Sequence, residues 1–417
     1  MRRVTPPAGP PRLLDAAALL VEVADELVVR TVRDTHQACA DRVYGARRAS
    51  TRSASVPEVV HRGIAGGVFT GLGAALQVTS WGLGVLAERD VGPALETGPR
   101  GRFLTSAVNG LIGDRLVHDR PRLAVPLAVR HRGRDVPLAT DDLATSFPSA
   151  TGRIAILLHG LSENESAFDR HRDRVGATYA DTLADLDWTP VLLRANTGLD
   201  LCTNGAALAA LLGRLVDAWP VEVERIALIG HSMGGLVLRA ACAVATDAVK
   251  PWATRLTDIV TLGTPHLGAP LAGGVGAGAS ALGRLPESAA FGRILDQRSV
   301  GILDLVEGLG DDAPPLTHVR YHLVSATLTR SPRHPVGWFL GDALVRQPSA
   351  YGDSRRHPGL FPDADRLHLP RAGHFDLLNH PQVHAALRRW LADQPGDAES
   401  AVGEQRPITR GSVGRSG

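Results

Sequence analysis

The chain predicts an α/β protein whose mostly parallel sheet is covered by helices on both faces, and three observations carry that expectation. From about residue 121 onward, apolar runs of strand length alternate with helical patterns. Those runs are continuously apolar, as expected of strands buried on both faces. One of them, Arg225-Ile226-Ala227-Leu228-Ile229, leads into Gly230-His231-Ser232-Met233-Gly234 and then into the helical pattern Gly235-Leu236-Val237-Leu238-Arg239-Ala240-Ala241. A strand, a serine turn and a helix in that order lift a hydroxyl out of the fold. The glycines let the turn tighten without side-chain clashes, and the new helix aims its first amides at whatever the serine attacks.

With 417 residues, 44% hydrophobic and 21% charged, the chain can bury one large domain with an appendage, or two to three small ones. A formal charge of +2 makes no electrostatic case for nucleic acid. Lys250 is the one lysine among many arginines, which reads as coding bias rather than function. Cys39, Cys202 and Cys242 are too few and too scattered for a disulfide framework or a zinc site, and they suit a reducing compartment. Met1-Arg2-Arg3, followed by prolines, has no apolar stretch ending in a cleavage site, so a cytoplasmic protein is expected.

Residues 1–120 are expected to form a helical region. Leu13 to about Cys39 carries apolar residues at helical spacing, the mark of an amphipathic helix in need of a partner. Residues 45–56, rich in arginine and serine, read as a loop. Gly63 to Ala87 holds no charged residue and is long enough to cross a bilayer. Its glycines and its Thr70, Gln77, Thr79 and Ser80 favour a helix packed closely inside the protein or at an interface, with peripheral membrane contact through residues 63–87 as the second reading.

A catalytic domain is expected over 121–395. It opens on a hairpin, Ala124–Val129 and Arg134–Leu138 around Arg132-Gly133. Strands follow over Ile154–Leu158, Pro190–Arg194, Arg225–Gly230, Asp258–Leu262, Val319–Ser325 and about Asp365–Leu369. Helices are expected over about Ser166–Leu186, Asn204–Ala218, Met233–Thr246 and Pro381–Ala392. Between about 267 and 315 the rhythm breaks at a glycine-rich segment, whose place between two strands suits a cap or lid. Residues 396–417 read as a disordered tail.

A serine hydroxyl needs a base within hydrogen-bond reach, normally a histidine oriented by a carboxylate. In a strand–serine–helix elbow of this kind the order is serine, acid, histidine, so the search runs downstream of Ser232. His374, on the loop after the last strand, is the first candidate for the base, with His380, His384 and His368 as alternatives. Asp342 is the first candidate for the acid and Asp353 its competitor by position, while Asp296 and Asp304 fall in the expected cap. The oxyanion needs two amide donors. Met233 supplies one, and Gly160 in Leu158-His159-Gly160-Leu161 permits a turn that presents the Leu161 amide as the other. Gly160, Ser162, His231 and Leu267 are expected around the substrate, with Asn164 near the entrance. His159 and His266 belong to the same surroundings, where His159 shapes the loop and His266 supports the architecture.

The turn His159-Gly160-Leu161, the elbow Gly230-His231-Ser232-Met233-Gly234-Gly235, the segment Gly263-Thr264-Pro265-His266-Leu267-Gly268 and the two downstream loops together resemble an α/β-hydrolase of the lipase/esterase type. The Gly-Thr-Pro-His-x-Gly segment is similar to that of bacterial lipases and of the GPI inositol-deacylase-like group. The resemblance spans roughly residues 121–395. It implies Ser232, Asp342 and His374 as nucleophile, acid and base, and chemistry without metal or organic cofactor. A carboxylic-ester hydrolase acting on hydrophobic acyl or lipid esters is the leading expectation. An acyltransferase using the same triad is the alternative, and a non-enzymatic membrane-associated scaffold is the third reading. The helical first 120 residues match nothing that fixes a substrate.

Overall fold

A computed structural model describes residues 10–23, 33, 37, 56–247, 251–269, 299–331, 333–334, 341–353 and 359–392, with side chains described from residue 66 in the helix that starts at Val56 and only to Val244 in the one that starts at Met233. Among the described residues the first α-helices are α1 (Leu13–Val23), α2 (Val56–Glu88) and α3 (Pro99–Asp119). The hairpin β1 (Ala128–His131) and β2 (Arg134–Val136) follows, and then β3 (Arg153–Leu158). After helix α4 (Tyr179–Ala184) come β4 (Thr189–Arg194), α5 (Leu201–Ala218), β5 (Arg225–His231), α6 (Met233–Asp247) and β6 (Leu256–Leu262). The order closes with α7 (Val300–Glu307), β7 (Arg320–Thr327), β8 (Asp365–Pro370) and α8 (Pro381–Trp390).

The eight strands form one sheet in the order β2-β1-β4-β3-β5-β6-β7-β8. Strands β3 to β8 are all parallel, and β1 joins them antiparallel to β4. Strand alternation divides the core in two. Ile156, Leu158, Ile226 and Leu228 pack with Leu208, Leu212 and Leu236 of α5 and α6 on one face. Their neighbours Ala155, Leu157, Ala227 and Ile229 pack with Tyr179, Leu183, Val383 and Leu387 of α4 and α8 on the other. Helices therefore cover both faces, and the continuous apolar strands are explained.

One expectation is corrected here. The long helix expected over about Ser166–Leu186 is three short segments: a 3-10 turn at Glu165–Asp169, a helical turn at Arg172–Val175, and α4. His171 and Gly176 take left-handed φ of 63° and 86°, and Thr178 with Asp181 forms a capping box that starts α4 anew. The uncharged stretch lies within α2, where Ser80 and Ala87 are buried, about a third of the other described side chains over Gly66–Glu88 are half-buried and the rest are exposed. One side of α2 packs on α1, and there the Ser80 hydroxyl donates to the Ala18 carbonyl at 3.0 Å. Of the amphipathic helix expected from Leu13 to Cys39, the described part is α1. The loop at 45–55, the tail at 396–417 and most of the expected cap (270–298) lie outside the described residues.

Helix α3 lies against the carboxyl ends of the strands. A Cβ on Gly110 would fall 2.0 Å from the Ser162 hydroxyl, and one on Gly113 would fall 1.9 Å from the Asn196 amide oxygen. These two positions admit only glycine at this approach. Ser299, just before α7, donates its hydroxyl to the Gly110 carbonyl at 2.7 Å. The helical front end is thus seated on the loops after β3 and β4.

Candidate active site

Strand β5 ends in a turn that forces Ser232 to φ 53°, a left-handed conformation that a serine adopts only when its surroundings hold it there. Those surroundings are visible on both sides of the residue. The Ser232 amide donates to the Leu262 carbonyl at 2.8 Å, and the Thr264 hydroxyl donates to the Ser232 carbonyl at 2.9 Å. The approach is close enough to require glycine. A Cβ on Gly230 would sit 2.5 Å from the Gly235 nitrogen, and one on Gly235 would sit 2.0 Å from the Thr264 hydroxyl. The segment from Gly263 to Gly268 therefore acts as a backing plate for the elbow.

Asp342 and His374 meet although 32 positions separate them. The Asp342 Oδ2 accepts from the His374 Nδ1 at 2.8 Å, and the His374 amide donates to the Asp342 carbonyl at 2.9 Å. The other carboxylate oxygen accepts from the amides of Leu344 and Val345 at 3.0 and 2.8 Å. Asp342 is 1% exposed, so its charge is carried by three hydrogen bonds rather than by water. With Nδ1 committed to Asp342, Nε2 is the His374 nitrogen left to handle a proton. The ring lies beside the elbow: a Cβ on Gly263, the residue after Leu262, would be 3.2 Å from both Cε1 and Nδ1 of His374.

The competing candidates are engaged elsewhere. Asp353 pairs with Arg366 at the surface. His368 sits between the Ser325 and Thr327 hydroxyls, His380 caps α8, and His384 bonds the Thr182 hydroxyl at 2.7 Å. Asp304 accepts from the Leu201 amide at 2.8 Å, and Asp296 lies outside the described residues.

After β3, Gly160 passes close to Ser232, where a Cβ would come within 3.0 Å of the Ser232 Cβ. Ser162, at φ 60°, donates its amide to the Thr197 hydroxyl at 3.0 Å. Among the described residues no acceptor meets the Leu161 or Met233 amide, and both belong to the segments that flank Ser232. His159, His231 and His266, expected around the substrate, are fully buried and use their ring nitrogens on the protein. His159 Nε2 accepts from the Ala195 amide at 3.1 Å, and His266 lies among Arg239, Thr261 and the Phe361 ring. Burial lowers the pKa of His159 and lowers that of His266 further, with the Arg239 charge adding to the effect at His266. Ser162 packs under α3, and the Leu267 amide donates to the Ser349 hydroxyl at 3.2 Å. Asn164 is likewise buried, and its side chain accepts from the Ser166 amide.

Sequence reasoning passed over Glu163, between the two polar residues it singled out. Its carboxylate accepts from the Gly160 amide and from His231, each at 2.8 Å. A Gly-x-x-Glu spacing around a tight turn was the available signal. Among the described residues no group of three or more His, Cys, Asp or Glu is arranged to hold a metal ion.

The family model of the PGAP1-like alpha/beta domain matches residues 210–275, which run from α5 through the elbow to just beyond the Gly263–Gly268 segment. Among solved structures, the mature lipase BlEst2 of Bacillus licheniformis is 19% identical, with 58% of this chain and 92% of that chain covered at a TM-score of 0.41. A lipase-esterase related protein of Clostridium acetobutylicum is 12% identical over 58% and 95% of the two chains, at a TM-score of 0.36. The Pyrococcus furiosus esterase Pf2001 is 17% identical over 58% and 84%, at 0.33. Comparison with curated proteins gave no match. With six parallel strands, a serine elbow between β5 and α6, and a carboxylate–histidine pair on the loops that follow β7 and β8, the chain has the α/β-hydrolase fold.

Proposed function

We propose that the protein is a serine hydrolase of carboxylic esters. The observation that carries this reading is the buried Asp342–His374 hydrogen bond at 2.8 Å beside a serine held at φ 53°. In the proposed cycle Ser232 Oγ attacks the ester carbonyl while His374 Nε2 takes its proton. The oxyanion that forms is met by the Leu161 and Met233 amides. Collapse expels the alcohol, which leaves with the proton held by His374, and Ser232 remains as an acyl ester. Water then gives its proton to His374 and attacks the acyl carbon, and the free acid departs as Ser232 regains its hydrogen.

We infer a hydrophobic acyl group from the apolar lining of the helical front end, part of which sits on the Ser162 loop. An apolar cavity of about 550 Å³ opens between α1 and α3, lined by Leu13, Leu20, Leu104, Leu111, Ile112 and Leu116. The same α3 lies on the Ser162 loop through Gly110. Each buried methylene is worth about 0.8 kcal/mol, or roughly a fourfold gain in kcat/KM. Over p-nitrophenyl acetate, butyrate and octanoate, kcat/KM is expected to rise at each step. Acetate as the best substrate would remove the hydrophobic-acyl part of the reading.

The same proposal places a lipid surface against α2. The stretch Gly66–Glu88 spans about 35 Å at 1.5 Å per residue, and it leaves Val68, Leu72, Val78 and Trp81 exposed. Purified protein is expected to float with phosphatidylcholine vesicles in a density gradient, and Leu72→Asp with Trp81→Asp is expected to hold it at the bottom. Wild-type protein that stays at the bottom would contradict the assignment.

A further inference from the structure

The proton relay and the two oxyanion donors leave one buried charged pair beside Ser232 without a role. Glu163 Oε2 accepts from the Gly160 amide and from His231 Nδ1, both at 2.8 Å. On the other side of the same ring, His231 Nε2 faces the His374 carbonyl at 3.4 Å. A carboxylate and a carbonyl can only accept, so His231 donates from both nitrogens, and an imidazole that does so carries a positive charge. The ring is fully buried and the Glu163 side chain is 12% exposed. Glu163 Oε1 is buried without a hydrogen-bond partner among the described residues, which leaves His231 to neutralise the carboxylate.

This pair ties three separate parts of the site together. Glu163 and Gly160 belong to the turn that carries the Leu161 amide. His231 is the residue before Ser232, and its ring stands 4.9 Å from the His374 ring, centre to centre. The fit has no slack, since a Cβ on Gly160 would lie 3.0 Å from both Glu163 Oε2 and Ser232 Cβ, and 3.2 Å from His231 Nδ1.

We propose that Glu163 and His231 form a positioning pair, a buried charged strut that sets the oxyanion turn and the base loop around Ser232. The inference rests on the serine-hydrolase reading above. Neither side chain touches the reacting atoms. Their effect is on where the Leu161 amide and the His374 ring sit when charge develops, so loss of the strut lowers kcat and leaves KM nearly unchanged.

Charge around the pair fits this role. Facing it are His159 from the oxyanion turn, and Asp342 and His374 from the acid and base loops. Burial pulls the His231 pKa down, but Glu163, the His374 carbonyl and Asp342 together outweigh it and hold the pKa above the ordinary histidine value. Burial likewise pushes Glu163 up, and His231 with the Gly160 amide outweighs it and holds the carboxyl at about 2. The strut is therefore intact from about pH 2 up to the raised His231 pKa. It is lost as pH rises through that value, and on the acid side only as pH falls through about 2.

The test compares wild type, Glu163→Gln and Glu163→Ala as full chains. It uses p-nitrophenyl butyrate kinetics from pH 5 to 10, the rate of fluorophosphonate labelling, and thermal unfolding. Glu163→Ala is expected to lose about 100-fold in kcat per labelled site, with KM within about twofold. Glu163→Gln keeps the shape and one acceptor but not the charge. It is expected to lose less, and to show its alkaline fall at lower pH than wild type because His231 then gives up its proton earlier. A folded Glu163→Gln with wild-type kcat and pH profile would overturn the proposal, as would a Glu163→Ala that loses only labelled fraction. Wild type that is not labelled at Ser232 would overturn the hydrolase reading and this inference with it. Labelled wild type with unaffected variants overturns the inference alone.

Discussion

Ser232→Ala is expected to lower kcat toward p-nitrophenyl butyrate by about 10⁶-fold with little change in unfolding temperature. The two expectations come from different atoms of the same residue. The proposed cycle needs the hydroxyl, whereas the turn is held by the Ser232 amide on Leu262 and by Thr264 on the Ser232 carbonyl. Removing Oγ leaves both backbone anchors in place. The Leu161 and Met233 amides proposed to hold the oxyanion also remain, so a residual rate above that of water is expected. A variant that keeps more than a few per cent of wild-type activity would mean that another group attacks the ester.

The second large effect is at the acid. Asp342→Asn is expected to lower kcat by about 10⁴-fold while the protein stays folded. The substituted side chain keeps one oxygen for the Leu344 and Val345 amides, so the loop geometry survives. Its amide NH₂ then faces His374 Nδ1 where a carboxylate oxygen stood. The ring must turn Nδ1 into an acceptor, which puts its proton on Nε2, the nitrogen that has to receive the serine proton. Asp353→Asn serves as the matched control. Its pairing with Arg366 is at the surface, where such pairs contribute about 0–1 kcal/mol, so activity is expected to stay near wild type. Steady-state kinetics on the two variants decide between the acids, and the reverse pattern would move the acid to Asp353.

How far the chain was legible depends on whether the governing contacts are local. The strands read well because burial on both sheet faces writes continuous apolar runs into the sequence, and β3 to β8 each match an expected run within about three residues at either end. The elbow read well because close approach leaves glycines at fixed offsets from Ser232. The helix expected over Ser166–Leu186 failed because apolar spacing there was stronger than the signals that break it. His171 takes a conformation that few side chains adopt, and the Thr178–Asp181 capping box was there to be read.

Contacts made across long separations were not legible. Asp342 and Asp353 are equivalent by position, and only the folded chain shows which one His374 reaches. Gly110 in α3 looks like a weak point in a helix until Ser162 is found against it. Glu163 went unnoticed because its partner lies 68 residues away, on the residue before Ser232.

The central claim is that Ser232 is the nucleophile, and mapping a covalent adduct tests it most directly. Wild-type protein treated with a fluorophosphonate is expected to gain one adduct by intact mass, located by peptide sequencing on Ser232. Ser232→Ala is expected to gain none. No adduct on wild type, an adduct on another residue, or equal labelling of Ser232→Ala would contradict the account.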